Sequence, residues 1–237
     1  MRYVVSDIHG CYEEYKELLR KIEFTDEDEL YVLGDVVDRG PEPLKILRDM
    51  MMRINVFLVL GNHEYMMLRV LRKVAVEIKE DNLDNYLQAE DLKAYMYWMN
   101  DGGSNTVRQF RQLPADERED ILEYIEDALT FEVLKANGKI FVLTHAGIRN
   151  FDENKHLDKY DYSDFLFHRA DYTKRYFSNK NVCLVTGHTP TMRIRKDKMP
   201  LIFEGNGHIA IDCGCVYGGR LAAYCFDTGE KFYVDKK

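Results

Sequence analysis

The sequence predicts an α/β architecture of mixed β-sheets with a helical insertion, and three features carry that prediction. Short, β-rich apolar runs recur from one end of the chain to the other. Amphipathic helical patterns separate the first of these runs, which argues for parallel pairing at the N-terminus. The last 30 residues read as strands joined by tight turns, which argues for antiparallel pairing there.

The elements follow in order. Strands are expected at Arg2–Val5, Glu29–Leu33, Val56–Leu60, Lys139–Thr144, Val182–Thr186, Ile209–Ile211, Arg220–Phe226 and Lys231–Val234, each about the length of one buried strand. Tyr12, Tyr15, Leu18, Leu19 and Ile22 recur at helical spacing, so residues 11–22 form an amphipathic helix. Its charged residues, Glu13, Glu14 and Glu17 with Lys16, Arg20 and Lys21, are expected to face solvent. A second helix spans 42–53 behind Pro41, a good first helical residue, with Leu44, Leu47 and Met51 as its buried stripe. From about 64 to 130 the chain is helical, charged and rich in Met and aromatics, with Trp98 and a break at Gly102-Gly103. This stretch is read as an insertion packed on the sheet beside the site, its aromatics serving the core. Turns are expected at Gly218-Gly219 and Asp227-Thr228-Gly229. With neither an internal repeat nor a linker, residues 1–237 are expected to form one domain.

Composition narrows the function. Of the 237 residues 46% are apolar, enough for a substantial core, and the net charge of −8 argues against a nucleic-acid binder that neutralises backbone phosphates. A phosphorylated substrate remains compatible, because a local cluster of metal ions and arginines overrules the global balance. No apolar run approaches the roughly 20 residues of a membrane span. Five scattered cysteines (Cys11, Cys183, Cys213, Cys215 and Cys225) read as reduced thiols of a cytoplasmic protein, and Cys213-Gly214-Cys215 alone is too little for a zinc site.

Five polar clusters each begin where a predicted strand ends. They are Asp7-Ile8-His9-Gly10, Gly34-Asp35-Val36-Val37-Asp38-Arg39-Gly40, Gly61-Asn62-His63-Glu64, His145-Ala146-Gly147 and Gly187-His188-Thr189. In an open α/β sheet the loops beyond the strands' carboxyl ends bind ligands, so the five can converge. Aspartate, histidine and asparagine offer oxygen and nitrogen ligands without thiolate, a set that suits Mn, Fe or Zn. Six such side chains are too many for one ion with open positions, whereas two ions about 3.5–4 Å apart use them naturally.

On these residues the sequence resembles the phosphoprotein phosphatase branch of the metallophosphoesterases, in particular its small bacterial and phage-type enzymes. The likeness runs from Asp7 to the terminal strands and includes Asp212-Cys213-Gly214-Cys215-Val216-Tyr217-Gly218-Gly219-Arg220-Leu221. The resemblance implies a four-layer αββα sandwich and two divalent metal ions, Mn²⁺ first, with Fe or Zn as alternatives. It implies metal ligands Asp7, His9, Asp35, Asn62, His145 and His188, with Asp35 bridging. It further implies His63 as the acid that protonates the leaving group, Asp38 as the carboxylate that orients it, and Arg39 and Arg169 as phosphate ligands. The reaction implied is attack of a metal-bridging hydroxide on phosphoserine or phosphothreonine, with phosphotyrosine as a further substrate, in a phosphorylated protein or peptide. The chain departs from the family at Ser6, Ala146 and Leu60, the last standing where many relatives carry a phosphate-binding arginine.

Two other functions compete with this one. Symmetrical hydrolysis of dinucleoside tetraphosphates is performed by close relatives, which typically lack the acid at Asp38 and carry Asp in place of Glu64; both residues here favour the protein phosphatase. A non-catalytic scaffold is disfavoured because every expected ligand remains. His156, His168 and His208, outside the five clusters, are read as structural.

Overall fold

The computed structural model describes residues 1–74 and 89–237. Along the chain the strands are β1 (Arg2–Val5), β2 (Glu29–Val32), β3 (Val56–Leu58), β4 (Glu132–Ala136), β5 (Lys139–Thr144), β6 (Val182–Thr186), β7 (Phe203–Gly205), β8 (His208–Ala210), β9 (Arg220–Cys225) and β10 (Lys231–Asp235). The helices are α1 (Tyr12–Lys21), α2 (Pro43–Met51), α3 (Asn62–Val74), α4 (Ala89–Trp98), α5 (Ser104–Phe110), α6 (Ala115–Glu126) and α7 (Thr191–Ile194), with a π-helical turn at Met99–Gly103 between α4 and α5.

The strands form two five-stranded sheets, ordered β10-β9-β1-β2-β3 and β4-β5-β6-β8-β7. Both are mixed. In the first, β1, β2 and β3 run parallel and β9 and β10 antiparallel. In the second, β5, β6 and β8 run parallel between antiparallel edge strands. The C-terminal hairpin therefore extends the N-terminal sheet through β9, rather than building a separate antiparallel half.

Alternation along each strand divides the apolar residues between two faces. Val4, Tyr31, Leu33, Phe141, Leu143, Val185, Ile209, Ala222 and Phe226 fill the space between the sheets. The other face of the first sheet packs against the helices through Tyr15, Leu18, Leu47, Met67, Trp98 and Ile121. The outer face of the second sheet is covered by the segment after β5, where Ile148, Tyr160 and Phe165 meet Val142 and Leu184. That fourth layer contains two short 3₁₀ turns, Leu157–Lys159 and Tyr162–Asp164.

Three local expectations change. The second helix begins at Pro43, because the carbonyls of Gly40 and Pro41 accept bonds from the Asn105 and Gln109 amides and Glu42 donates to the Gly10 carbonyl. Pro43 then fills the first turn, where its missing N–H is not needed. Glu14 does not face solvent: it is 1% exposed, and its carboxylate accepts from Lys236 Nζ at 2.9 Å and from the Lys237 amide at 3.1 Å. The edge strands β4 and β7 were not anticipated. β4 pairs with β5 along five residues, but Glu132 and Lys135 break the apolar run.

Candidate active site

Six strand ends meet along one edge of the sandwich. β1, β2 and β3 deliver Asp7 and His9, Asp35 to Arg39, and Asn62 and His63; β5, β6 and β8 deliver His145, His188 and Asp212. The loops are bonded to one another: the Asp7 amide donates to the Gly34 carbonyl, the His9 amide to that of Asp35 and the Gly10 amide to that of Val36, at 2.8–3.1 Å. Asp7, His9, Asp35, Asp38, Arg39 and His188 take φ between 43° and 71°, a left-handed conformation unusual for side-chain-bearing residues. Gly187 permits one close approach, since a Cβ there would lie 2.3 Å from Asp7 Oδ2.

All six side chains expected to bind metal lie at this edge. His9, Asp35 and His63 offer ligand atoms within 4.8 Å of one another, and so do Asp35, His145 and His188; Asp35 belongs to both groups. Asn62 Oδ1 stands 2.9 Å from both His145 Nε2 and His188 Nδ1. Asp7 lines the same cavity, its oxygens accepting from the His188 amide at 2.9 and 3.2 Å. His9 and His145 each turn Nδ1 to a backbone carbonyl, of Val37 at 2.8 Å and of Leu33 at 2.7 Å, which makes Nδ1 the protonated nitrogen and leaves the Nε2 lone pair for a cation.

The electrostatics fit such a cation. Burial and then neighbouring carboxylates raise the acids: Asp7 beside Asp212, and Asp35 beside Asp7 and Glu64, sit well above the usual carboxylate range. Burial, reinforced by nearby imidazoles and arginines, holds His9 and His145 well below the ordinary histidine value and His188 at about 4. Neutral imidazoles around mutually repelling carboxylates make a donor set that a divalent cation completes, because it stabilises the ionised acids and uses the free nitrogen lone pairs.

His63 is fully buried. Its Nδ1 lies 2.6 Å from Asp38 Oδ2, while its Nε2 has no hydrogen-bond partner among the described residues and lines the cavity. Asp38 is itself braced from the insertion: Trp98 Nε1 donates to Oδ2 at 2.7 Å and Thr106 Oγ1 to Oδ1 at 2.6 Å. Glu64 accepts from the amides of Asp35, Val36 and Val37 at 2.7–3.0 Å, anchoring the loop that carries Asp35 and Asp38.

Arg39, Arg169 and Arg193 line a cavity of about 430 Å³ above these groups. Arg39 contacts His9 Nε2, pairs with Asp101 at 2.9 Å and lies against the Tyr217 ring. Arg169 lies in an irregular segment with Nη1 3.3 Å from Thr189 Oγ1. Arg193 and Asp101, whose Oδ2 is 3.5 Å from His63 Nε2, lie outside the sequence motifs, and Asp212 stands in the 212–221 stretch without an assigned role. Trp98 sits in the core, as its spacing predicts, and its indole also donates to Asp38.

Residues set aside stay outside this cavity's lining. His208 packs between Tyr172 and Tyr176 on β8, and His156 and His168 lie elsewhere on the surface. All five cysteines are free thiols. Cys213 faces the core between the sheets, whereas Cys215 faces Cys11 and Glu14 on the helical side, so the Cys213-Gly214-Cys215 pair does not converge.

Comparison with known proteins bears on the fold and the family. The asymmetrical bis(5'-nucleosyl)-tetraphosphatase of Bacillus subtilis (strain 168) is 29% identical over 262 residues, covering 98% of this chain and 93% of that protein. The symmetrical bis(5'-nucleosyl)-tetraphosphatase of Wigglesworthia glossinidia brevipalpis is 41% identical over 99 residues, which are 41% of this chain and only 36% of that protein. A crystal structure provisionally described as a diadenosine tetraphosphatase superposes with a TM-score of 0.66 at 22% identity, covering 100% of this chain and 93% of that one, and shows the same fold. The sequence profile of the calcineurin-like phosphoesterases matches residues 2–192, a span that takes in the five polar clusters from Asp7 to Thr189 but not Asp212. The chain belongs to the calcineurin-like phosphoesterase family.

Proposed function

We propose that this chain hydrolyses dinucleoside tetraphosphates with the help of two divalent metal ions. The observation that carries the reading is the pair of ligand groups joined at Asp35 beneath a cavity lined by three arginines. The nucleotide substrate is supported by relatives named for that activity, one of them similar over nearly the full chain. Asp7, His9 and Asp35 would hold one ion, and Asp35, Asn62, His145 and His188 the other. Their mixed nitrogen and oxygen set without thiolate suits Mn²⁺, with Fe or Zn as alternatives.

When bound, such ions lower the pKa of a coordinated water toward neutrality and polarise the phosphoryl group. The side chains supply the rest. Arg39 and Arg169 present planar guanidinium forks to phosphate oxygens. His63 directs a proton on Nε2 at the leaving oxygen, and Asp38 fixes the orientation of its ring.

The His63–Asp38 pair also favours a second reading, a phosphatase for phosphoserine and phosphothreonine. A serine alkoxide needs a proton to leave, whereas a nucleotide leaves as a stabilised anion and needs it less. Side-by-side kcat/KM values for diadenosine tetraphosphate and a phosphoserine peptide, in Mn²⁺, decide between the two. Faster turnover of the nucleotide supports the proposal, with its products distinguishing symmetrical from asymmetrical cleavage. Faster turnover of the peptide transfers the assignment to the phosphatase, and bound metal without either activity points to a scaffold.

A further inference from the structure

Beside the reaction cavity lies a second cleft of about 500 Å³, within the about 300–1,000 Å³ usual for small-molecule pockets. Its walls come from α3 and α4 of the insertion and from the irregular segment after β5, and include Tyr65, Met66, Arg69, Lys93, Tyr97 and Phe167. Tyr97 and Phe167 also line the reaction cavity, so the two spaces meet at these rings. Both rings are open to solvent, at 60% and 43% exposure. Phe167 is backed by Tyr65, centroid to centroid 6.1 Å, and Tyr65 by Tyr162 at 5.4 Å.

Exposed aromatic faces beside a phosphate-handling cavity favour a phosphorylated ligand that carries a ring of its own. Every nucleobase has a π-face that stacks on such rings, whereas a free phosphate or a phosphorylated serine does not. Arg69 and Lys93 line the cleft together with Glu90, a local excess of one positive charge beside the rings on a chain whose net charge is −8. Cations beside stacking rings suit a nucleotide, whose base is apolar on its faces and whose phosphates are anionic.

We propose that this aromatic cleft binds one nucleoside of the substrate, from which the polyphosphate continues past Tyr97 and Phe167 into the cavity of His63 and Arg39. The proposal rests on the nucleotide reading above and deepens it. The cleft would set which phosphorus reaches the reacting groups, by fixing one end of the substrate at a set distance from them.

The test is a binding measurement that needs no turnover. Calorimetric Kd values for ADP and for inorganic pyrophosphate are compared on the Mn²⁺-loaded protein and on Phe167→Ala and Lys93→Ala. We expect ADP to bind at least tenfold more tightly than pyrophosphate, the loss of the ring to remove most of that advantage, and the loss of the cation to reduce it. Circular dichroism and metal content show that the variants remain folded and loaded. Equal binding of ADP and pyrophosphate overturns the proposal, as does an advantage that survives in both variants. If ADP gains nothing but a phosphopeptide binds more weakly to the variants, the cleft docks peptides and the proposal is wrong. Failure to hydrolyse diadenosine tetraphosphate, with the ADP advantage intact, would instead remove the proposed reaction and leave the nucleoside cleft standing.

Discussion

His63 is bonded at one ring nitrogen and bare at the other, and that asymmetry gives it a direction. Asp38 takes Nδ1, so a proton on Nε2 has nowhere to go but the cavity. If its task is to protonate a leaving oxygen, the cost of removing it depends on how badly that oxygen needs the proton. His63→Asn should lower kcat on an alkyl phosphomonoester by about 10²–10⁴-fold, the usual contribution of a positioned acid. The loss should shrink on p-nitrophenyl phosphate and on diadenosine tetraphosphate, whose leaving groups are more acidic. Metal content should hold, because six other side chains are available as ligands. Equal losses on all three substrates would contradict the assignment of His63 as the acid.

At the scale of elements, the helical insertion is part of the site's support. Asp38 lies 60 residues from Trp98 and 68 from Thr106, yet these two satisfy both of its carboxylate oxygens from within the insertion. Trp98→Phe keeps the ring and removes one donor to a buried acid. Asp38 Oδ2 keeps its contact with His63 Nδ1, so the loss is that of one hydrogen bond to a carboxylate, about 1.5–3 kcal/mol, and a chain of this size loses about 2–4 °C of Tm per kcal/mol. The expected outcome is a Tm lower by several degrees and a reduced kcat with little change in KM, since the indole does not line the cavity. A KM effect larger than the kcat effect would show that Trp98 acts on substrate instead. Asp101, on the π-helical turn, should behave in the opposite way. Its carboxylate pairs with Arg39 at 2.9 Å and faces His63 Nε2, so it competes with an incoming phosphate for both. Asp101→Asn should lower KM for phosphate esters by up to about fivefold, the scale of a partly screened ion pair. An unchanged or higher KM in steady-state assays would mean that Asp101 helps substrate bind. None of these contacts leaves a local pattern in the sequence. Trp98 reads as core because its spacing describes only which way the ring faces, and a bond made across 60 residues has no periodicity to reveal it. The edge strands β4 and β7 were missed for a related reason, since a strand covered on one side lacks the continuous apolar run that marks a buried one.

The whole molecule was legible where burial and chemistry coincide. Its parallel strands are apolar along most of their length and lead into polar clusters, so Asp7, Asp35, Asn62, His145 and His188 could be expected at one edge although they span most of the chain. The same burial makes stability depend on pH at positions away from the site, and His208 isolates that effect. It is 2% exposed between Tyr172 and Tyr176, with Nε2 3.1 Å from the Lys174 carbonyl and Nδ1 buried without a partner among the described residues. Burial lowers its pKa from 6.5 to about 4, while the Lys174 bond and Asp171 pull it up and Arg175 pushes it down. Between those two values the unfolded chain takes up a proton on His208 and the native chain does not. Protonation therefore favours unfolding as the pH falls, and the stability present above about pH 6.5 is progressively lost toward pH 4. From pH 7 to pH 4.5 this one ring should account for about 2 kcal/mol. His208→Gln keeps a donor for the Lys174 carbonyl but cannot titrate. Urea unfolding of both proteins at the two pH values should show the variant losing about 2 kcal/mol less than the parent. The other buried histidines titrate alike in both proteins and cancel in the comparison, so parallel pH dependences would mean that His208 already carries its proton in the native state, or that the native fold opens around it.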